Sequence, residues 1–271
     1  MRTQLVVLLS AISLILSGTG SLSDFDAYPE VKAIIQQYTN DYSSKFTRIF
    51  QDGPFYTGDG TAYGMPTEGG NCLFPKDEYY NDMMFAAINQ DQYMTDMGCG
   101  VCAVAVSTSN PYKPIRVRII DRCPECEHGS LDFSDKAFKA MTNMNPARVR
   151  ISWALIPCDV DIPGYPALVE PNSYIKFQFK TGSSQWWFQV QIFNTRYPVA
   201  VVEMKVGGSF VGMSRVTHNY WVKPEGNVGP GPYTFRVTLA DGSVVLADDV
   251  QMAVSADDED DTFSTGTQTV M

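Results

Sequence analysis

Residues 119–134 read IIDRCPECEHGSLDFS, and this stretch carries the strongest signals for the fold. The apolar pair Ile119-Ile120 leads into a carboxylate, Asp121, and a second carboxylate, Asp132, follows between two apolar neighbours. Side chains alternate along a strand, so those neighbours should point inward and leave Asp132 at the surface of a packed frame. Partial burial would raise the pKa of Asp132 and make it a candidate proton donor. The alternative is that Asp132 caps a helix or pairs with Lys136.

Short runs rich in β-branched residues surround that stretch and predict further strands. They are Val101–Ser107, Ile115–Ile120 and Arg148–Leu155. One helix is expected after Ser134, a good N-cap, because Ala137, Phe138 and Met141 then fall on one side. These signals predict a mainly β domain with one short helix inserted.

The N-terminus predicts secretion. Met1-Arg2 gives a positive start, Leu5–Leu16 is an apolar run, and small residues follow it. This layout is typical of a signal peptide, here residues 1–21, and the run is too short to span a bilayer comfortably. A membrane anchor is the alternative. We expect a secreted, extracellular protein with no membrane partner.

The six cysteines allow two interpretations. They are Cys72, Cys99, Cys102, Cys123, Cys126 and Cys158. The two C-x-x-C pairs have zinc-ribbon spacing, but a four-cysteine metal site would leave two cysteines over. In an oxidising compartment an even number of cysteines predicts disulfides, so we expect no metal and no cofactor. Spacing alone leaves 15 pairings open.

The net charge of −10 narrows the class of partner. Nucleic acid is a poor partner for an acidic chain, and acidic polymers would be repelled, whereas a neutral glycan would not. Five of the acidic residues lie at 257–261, so residues 254–271 are predicted to form an acidic disordered tail.

The cysteines also indicate the domain organisation, because none lies beyond Cys158. Residues 159–171 (DVDIPGYPALVEP) then read as a linker, which predicts a first domain at 51–160 and a second at 168–253. Residues 22–50 form an N-terminal extension with helical potential around Val31 to Tyr38. The second domain reads as an all-β sandwich. Its candidate strands are Tyr174–Phe179, Phe188–Phe193, Val199–Val206, Phe210–Met213, Tyr233–Thr238 and Val244–Val250.

Aromatic residues mark two candidate sugar-contact segments. Residues 53–64, which include Tyr56, combine glycines, hydroxyls and aromatics and could form a binding loop or a plain turn-rich loop. Trp186-Trp187 would lie on opposite faces in a regular strand, but both could be exposed on a bulge or loop. Tyr220-Trp221 could extend such an aromatic row. The alternative is that these tryptophans belong to the core of the sandwich.

Taken together, these motifs resemble expansins and expansin-like proteins over about residues 53–250. The first-domain motifs are Phe55-Tyr56-Thr57-Gly58, Gly69-Gly70-Asn71-Cys72, Cys99-Gly100-Val101-Cys102, Asp121-Arg122-Cys123-Pro124 and Leu131-Asp132-Phe133-Ser134. The second-domain motifs are Gly182-Ser183-Ser184-Gln185-Trp186-Trp187, Gln189-Val190-Gln191-Ile192 and Arg196-Tyr197-Pro198-Val199.

The resemblance implies a six-stranded double-psi β-barrel with a short helix, followed by an immunoglobulin-like β-sandwich of the family-63 carbohydrate-binding type. It implies that Asp132 is the essential carboxylate of a shallow groove, with Asp121 and Thr57 as its neighbours. It further implies that Trp186 and Trp187 form a flat platform that stacks on cellulose.

The likeness to plant-type barrels implies the bridges Cys72–Cys99, Cys102–Cys158 and Cys123–Cys126. Two positions depart from the family pattern. His218 occupies the position of the third platform aromatic, for which Tyr220 or Trp221 could substitute, and Cys123 replaces a tyrosine common after the first groove aspartate.

The function that the resemblance implies is loosening of cell-wall polysaccharide by a monomer that binds cellulose or a related neutral β-glucan without hydrolysis. One alternative is a weak β-1,4-glucan endohydrolase related to glycoside hydrolase family 45, whose barrel is similar. An inverting enzyme needs an acid and a base on either side of the bond. Asp59 lies in the right segment for the base but in a different sequence setting. The second alternative is a barwin-like carbohydrate-binding module without wall-loosening activity.

Overall fold

The computed structural model describes residues 20–39, 50, 53–64, 70–78, 82–254 and 262–271. The predicted signal peptide lies almost wholly outside these residues. Among the helices in the described ranges, none is long and apolar enough to cross a membrane.

Six strands form a closed β-barrel in the order β1-β5-β2-β4-β3-β6. They are β1 Phe55–Ala62, β2 Phe85–Asn89, β3 Cys102–Ser107, β4 Ile115–Cys123, β5 Leu131–Phe133 and β6 Val149–Ile156. The β1–β5 and β2–β4 pairs are parallel, and the other neighbours are antiparallel. This is the predicted double-psi barrel, in which strands distant in sequence become neighbours.

The first barrel strand corrects the prediction of a loop at residues 53–64. Gly58, Asp59 and Gly60 are poor strand formers, yet each of them pairs with a residue of β6. A side chain at Gly58 would come within 2.4 Å of the backbone of Gly129, so the glycine allows a second segment to cross the strand. Partners on both sides, supplied by closure of the barrel, outweigh the low local preference for a strand.

The N-terminal extension is part of the packed structure. Helix α1 (Pro29–Thr39) covers the outside of the barrel, so β3 is buried on both faces. Ala103 and Ala105 belong to the main core, whereas Val104 and Val106 belong to a second apolar cluster. The side chains that the extension adds to this cluster are Phe25, Val31 and Ile35.

Within the described residues, two further helices belong to the barrel, α2 (Gln90–Tyr93) and α3 (Asp135–Thr142). The prediction for α3 is confirmed: the Ser134 hydroxyl accepts a hydrogen bond from the amide of Ala137 at 3.0 Å, and Phe138 and Met141 are buried. Ser134, and not Asp132, therefore caps this helix.

The second half of the chain forms two packed sheets, the predicted immunoglobulin-like sandwich. One sheet has the order β10-β9-β13-β14-β15 and the other β11-β12-β8-β7. The strands are β7 Lys176–Phe179, β8 Gln189–Phe193, β9 Val199–Val206, β10 Ser209–Gly212, β11 Ser214–Val216, β12 Tyr220–Val222, β13 Tyr233–Leu239, β14 Val244–Val250 and β15 Thr267–Val270. Phe177 and Phe235 stack at 5.1 Å between the sheets, where alternating inward residues form the core.

The end of the chain corrects the prediction of disorder for residues 262–271, which the structure describes. Residues 267–270 form β15, which pairs antiparallel with β14 at the edge of the five-stranded sheet. The acidic run at 257–261 lies outside the described residues. A row of unpaired backbone groups on β14 favours the added strand, which composition alone does not reveal.

Three disulfides join the six cysteines as the resemblance implied: Cys72–Cys99, Cys102–Cys158 and Cys123–Cys126. The zinc-ribbon alternative is wrong, because both C-x-x-C pairs are consumed in these bridges. Within the described part of the chain, no group of side chains has the arrangement of a metal site.

Candidate functional site

Strand register brings the two predicted groove aspartates into one row across the barrel. Asp132 on β5 pairs with Ala87 of β2, and Ala87 pairs on its other side with Asp121 of β4. The two aspartates are therefore two strand spacings apart, about 10 Å between backbones. A register shift after Ala86 places Asp121 opposite Ala87.

Asp132 lies at the surface between two fully buried neighbours, Leu131 and Phe133. Its Oδ1 accepts a hydrogen bond from the hydroxyl of Thr61 at 2.5 Å. Desolvation by the surrounding frame raises the pKa of Asp132, and the hydrogen bond from Thr61 only partly offsets this effect. A carboxyl with a raised pKa can both accept and donate hydrogen bonds over a wider pH range.

Thr57 is not the neighbour of Asp132, which corrects the prediction. It pairs with Ser152 of β6, whereas Thr61, four residues later on β1, pairs with Asp132. Strand register decides which threonine reaches the carboxyl, and the sequence holds no local signal for that register.

Asp121 is held by backbone donors. Its Oδ1 accepts hydrogen bonds from the amides of Asn71 at 2.7 Å and Arg122 at 2.8 Å. Gly70 makes this contact possible: its φ is +66°, and a side chain there would lie 2.6 Å from the carbonyl oxygen of Ile120. The 3₁₀ turn Gly70–Cys72 thus approaches the strand closely enough to fix the carboxylate.

The groove is a cavity of about 490 Å³ with a mostly polar lining. Its lining residues are Asp59, Thr61, Ala62, Cys123, Glu125, Cys126, Glu127, Ser130, Asp132 and Arg148. Asp59 is held by two arginines: Oδ2 accepts from Arg148 at 2.8 Å and Oδ1 from Arg150 at 2.7 Å. The hydrogen bond from Arg148 is the main cause of the lowered pKa of Asp59.

One wall of the groove is the segment 123–130, which is fixed at both ends. The Cys123–Cys126 bridge closes its first turn, and the indole of Trp153 donates to the carbonyl of Gly129 at 2.8 Å. Gly129 has a φ of +80°, and a side chain there would lie 2.2 Å from the carbonyl oxygen of Thr57. Glycine is needed where this wall crosses β1.

Tyr56, a predicted sugar contact, is a core residue. It is 1% exposed and stacks on Trp153 with the ring centroids 4.4 Å apart. The alternation of β1 turns Tyr56 inward, while Thr57 and Asp59 face outward.

The tryptophan turn, Ser184–Trp187, exposes both of its indoles. The amide of Ser184 donates to the carbonyl of Trp187 at 2.7 Å, and the amide of Trp187 donates back at 3.1 Å. Trp186 and Trp187 are 64% and 45% exposed, whereas the other two tryptophans are buried. Of the two alternatives, a turn and not a regular strand is therefore the one that the structure adopts.

Tyr220 and Trp221 do not extend an exposed aromatic row. They are 1% and 4% exposed, and the guanidinium of Arg215 lies 4.5 Å from the centre of the Trp221 ring. Both residues belong to β12, which is covered on both faces. Their assignment as exposed sugar contacts is wrong because these adjacent side chains point to opposite faces of β12 and both are buried.

His218 lies where the barrel meets the sandwich. Its Nδ1 is 3.0 Å from the carbonyl oxygen of Asn71, and its amide donates to Asp96 at 3.1 Å. Gln191 donates to the carbonyl of Cys72 at 2.8 Å across the same junction. Asn71 also holds Asp121, so the contacts of His218 join the sandwich directly to the aspartate row.

Comparisons with known proteins agree with this architecture. The Expansin C-terminal domain family matches residues 175–251. Expansin-YoaJ of Bacillus subtilis (strain 168) is 28% identical over 208 residues, which is 75% of this chain and 79% of that protein.

Solved structures agree as well. The apo expansin of Clavibacter michiganensis superimposes with a TM-score of 0.63 and 26% sequence identity, covering 79% of this chain and 96% of that one. A mutant of the same expansin, solved in complex with cellohexaose, superimposes with a TM-score of 0.62. The barrel, the sandwich and these relatives together support the assignment of the chain to the expansin family, whose C-terminal domain matches residues 175–251.

Proposed function

We propose that this chain is a secreted monomer that binds cellulose or a related neutral β-glucan and loosens cell-wall polysaccharide without hydrolysing it. The observation that carries this proposal is the exposure of Trp186 and Trp187 on one turn. Indole rings that face solvent together offer a flat apolar surface to the apolar faces of sugar rings. The relative solved with cellohexaose supports a β-1,4-glucan as the ligand class.

The groove supplies the second contact in this proposal. Asp132 accepts or donates hydrogen bonds with the hydroxyls of a single glucan chain while the tryptophan turn holds the protein on the polymer. A hydrogen bond to a charged group contributes about 1.5–3 kcal/mol. Contacts of this size compete with those between neighbouring glucan chains and let the chains slide.

The setting of Asp59 supports a mechanism without hydrolysis. An inverting hydrolase needs a carboxylate base that positions a water molecule opposite the acid. Each carboxylate oxygen of Asp59 already accepts a hydrogen bond from an arginine, and these bonds lower its pKa. Asp59 is therefore a weaker base than a free carboxylate, and its lone pairs are partly occupied.

Pull-down on insoluble cellulose, combined with a reducing-sugar assay, tests the proposal. We expect the wild-type protein to bind without sugar release and the variant Trp186→Ala/Trp187→Ala to lose at least about tenfold in affinity. Tyr112→Ala is the matched control, since Tyr112 is 54% exposed on the barrel. Equal binding by the tryptophan variant contradicts the platform, and sugar release by the wild type favours the hydrolase alternative.

A further inference from the structure

Arg148 and Arg150 differ in position although they share one partner. Asp59 pairs with Arg150 in the register of β1 and β6, and Arg148 lies just before β6. Asp59 holds both guanidinium groups, one on each carboxylate oxygen. Arg148 lines the groove, whereas Arg150 is not among the described residues that do so.

Arg148 has hydrogen-bond donors to spare. A guanidinium carries five N–H groups in a planar fork, and the contact with Asp59 uses Nη1. The side chain is 70% exposed, so the rest of the fork is open to solvent and to the cavity. The positive charge of Arg148 acts on Asp132, which places the two side chains in one electrostatic environment.

The lining of the groove also offers acceptors. Glu125, Glu127 and Asp132 are carboxyl groups that accept hydrogen bonds when ionised. A sugar hydroxyl donates one hydrogen bond and accepts others. Carboxylates pair only with its donor and leave its oxygen lone pairs without a partner. A donor that lines the same cavity completes the set.

We propose that Arg148 is a glycan-binding residue of the groove, which donates hydrogen bonds to hydroxyl oxygens of the sugar chain, and that Asp59 is the positioning residue that holds it there. The inference rests on the proposed function, because it assumes that a neutral glucan chain enters this groove. The site then includes, besides the aspartate row, Asp59 on β1 and Arg148 just before β6.

An NMR titration with cellohexaose tests this inference in the Trp186→Ala/Trp187→Ala background, where the tryptophan turn no longer contributes binding. The amide signals of Thr61 and Asp132 report on the groove. We expect Arg148→Gln to lower the affinity for cellohexaose about tenfold, which is the effect of losing one hydrogen bond to a charged group. Arg150→Gln is the matched control and should change the affinity by less than about twofold, as exposed ion pairs usually do.

Two further variants separate positioning from a general structural effect. Arg148→Lys keeps the charge without the fork and should retain part of the affinity. Asp59→Asn should weaken binding about threefold, but should add nothing to the loss in a protein that already carries Arg148→Gln, because the two residues act as one unit.

Equal affinity for Arg148→Gln and the background protein, or an equal loss for Arg150→Gln, overturns the role of Arg148. An additive effect of Asp59→Asn overturns its positioning role. If the background protein shows no groove signals that shift with cellohexaose while the wild type still binds cellulose, the groove part of the proposed function fails and this inference fails with it.

Discussion

The groove and the tryptophan turn are built in opposite ways. The groove lies on regular strands, and its carboxyls are held by a threonine hydroxyl, backbone amides and arginines. The tryptophan turn lies at the tip of a hairpin and presents two largely unsupported indoles. This contrast fits the proposed function, in which the barrel makes directional contacts with one glucan chain and the sandwich adheres through apolar area.

The largest expected contrast is between a buried and an exposed tryptophan. Trp153→Ala removes the ring that stacks on Tyr56 and the donor to Gly129, and should lower the free energy of unfolding by about 3–5 kcal/mol. Trp186→Ala should change it by less than about 0.5 kcal/mol. Urea unfolding followed by circular dichroism measures both, and similar losses in the two variants would contradict the assignment of Trp186 to a free surface.

A second contrast compares two glycines with positive φ. Gly70→Ala forces a side chain against Ile120 and Asp121, whereas Gly182→Ala, beside the tryptophan turn, meets no atom within 4 Å. Backbone strain alone costs about 1–2 kcal/mol in either variant. Gly70→Ala should cost at least about 1 kcal/mol more, because the backbone must also move. Equal losses would show that the turn at residues 70–72 does not need its close approach to Asp121.

Some elements of the barrel could be predicted from the sequence and others could not, and the reason is physical. The strands β3, β4 and β6 follow from runs of β-branched residues, and helix α3 follows from its cap. Strand β1 was missed because its glycines and Asp59 favour a loop when considered without the partners that barrel closure supplies. Local composition predicts an element when the apolar side chains of that element drive its burial. It fails when the element forms only because distant strands pair with it.

Within the sites, residue types were predictable and register was not. Asp132 and the two exposed tryptophans have chemistry that identifies them in the sequence. Choosing Thr57 instead of Thr61 depended on how two distant strands align, and a one-residue change in register reverses every side chain of a strand. The inward direction of Tyr56 follows from the same alignment.

A third and smaller contrast concerns the two threonines. Thr61→Val removes the hydrogen bond to Asp132 and should destabilise the protein by about 1 kcal/mol while raising the pKa of Asp132 further. Thr57→Val should leave that pKa unchanged. Carboxyl ¹³C titration by NMR measures the pKa in each variant, and a shift caused by Thr57→Val would contradict the observed register.

The smallest effects concern the pH dependence of stability. The pKa of Asp132 is raised in the folded protein, so its ionisation should lower the free energy of unfolding as the pH rises through that pKa. The pKa of Asp59 is lowered, so its contribution should be present near neutral pH and lost as the pH falls. Asp132→Asn and Asp59→Asn should therefore change the pH profile of stability with opposite signs. The same sign in both variants would contradict the described environments.

The most direct measurement is the extension of a cell-wall strip under constant load. A pull-down beforehand sets the concentration of each protein at which equal amounts are bound. We expect the wild type to cause extension, whereas Asp132→Asn, bound in the same amount, should cause little extension. Equal extension by Asp132→Asn and the wild type would contradict the division of labour between the groove and the tryptophan turn.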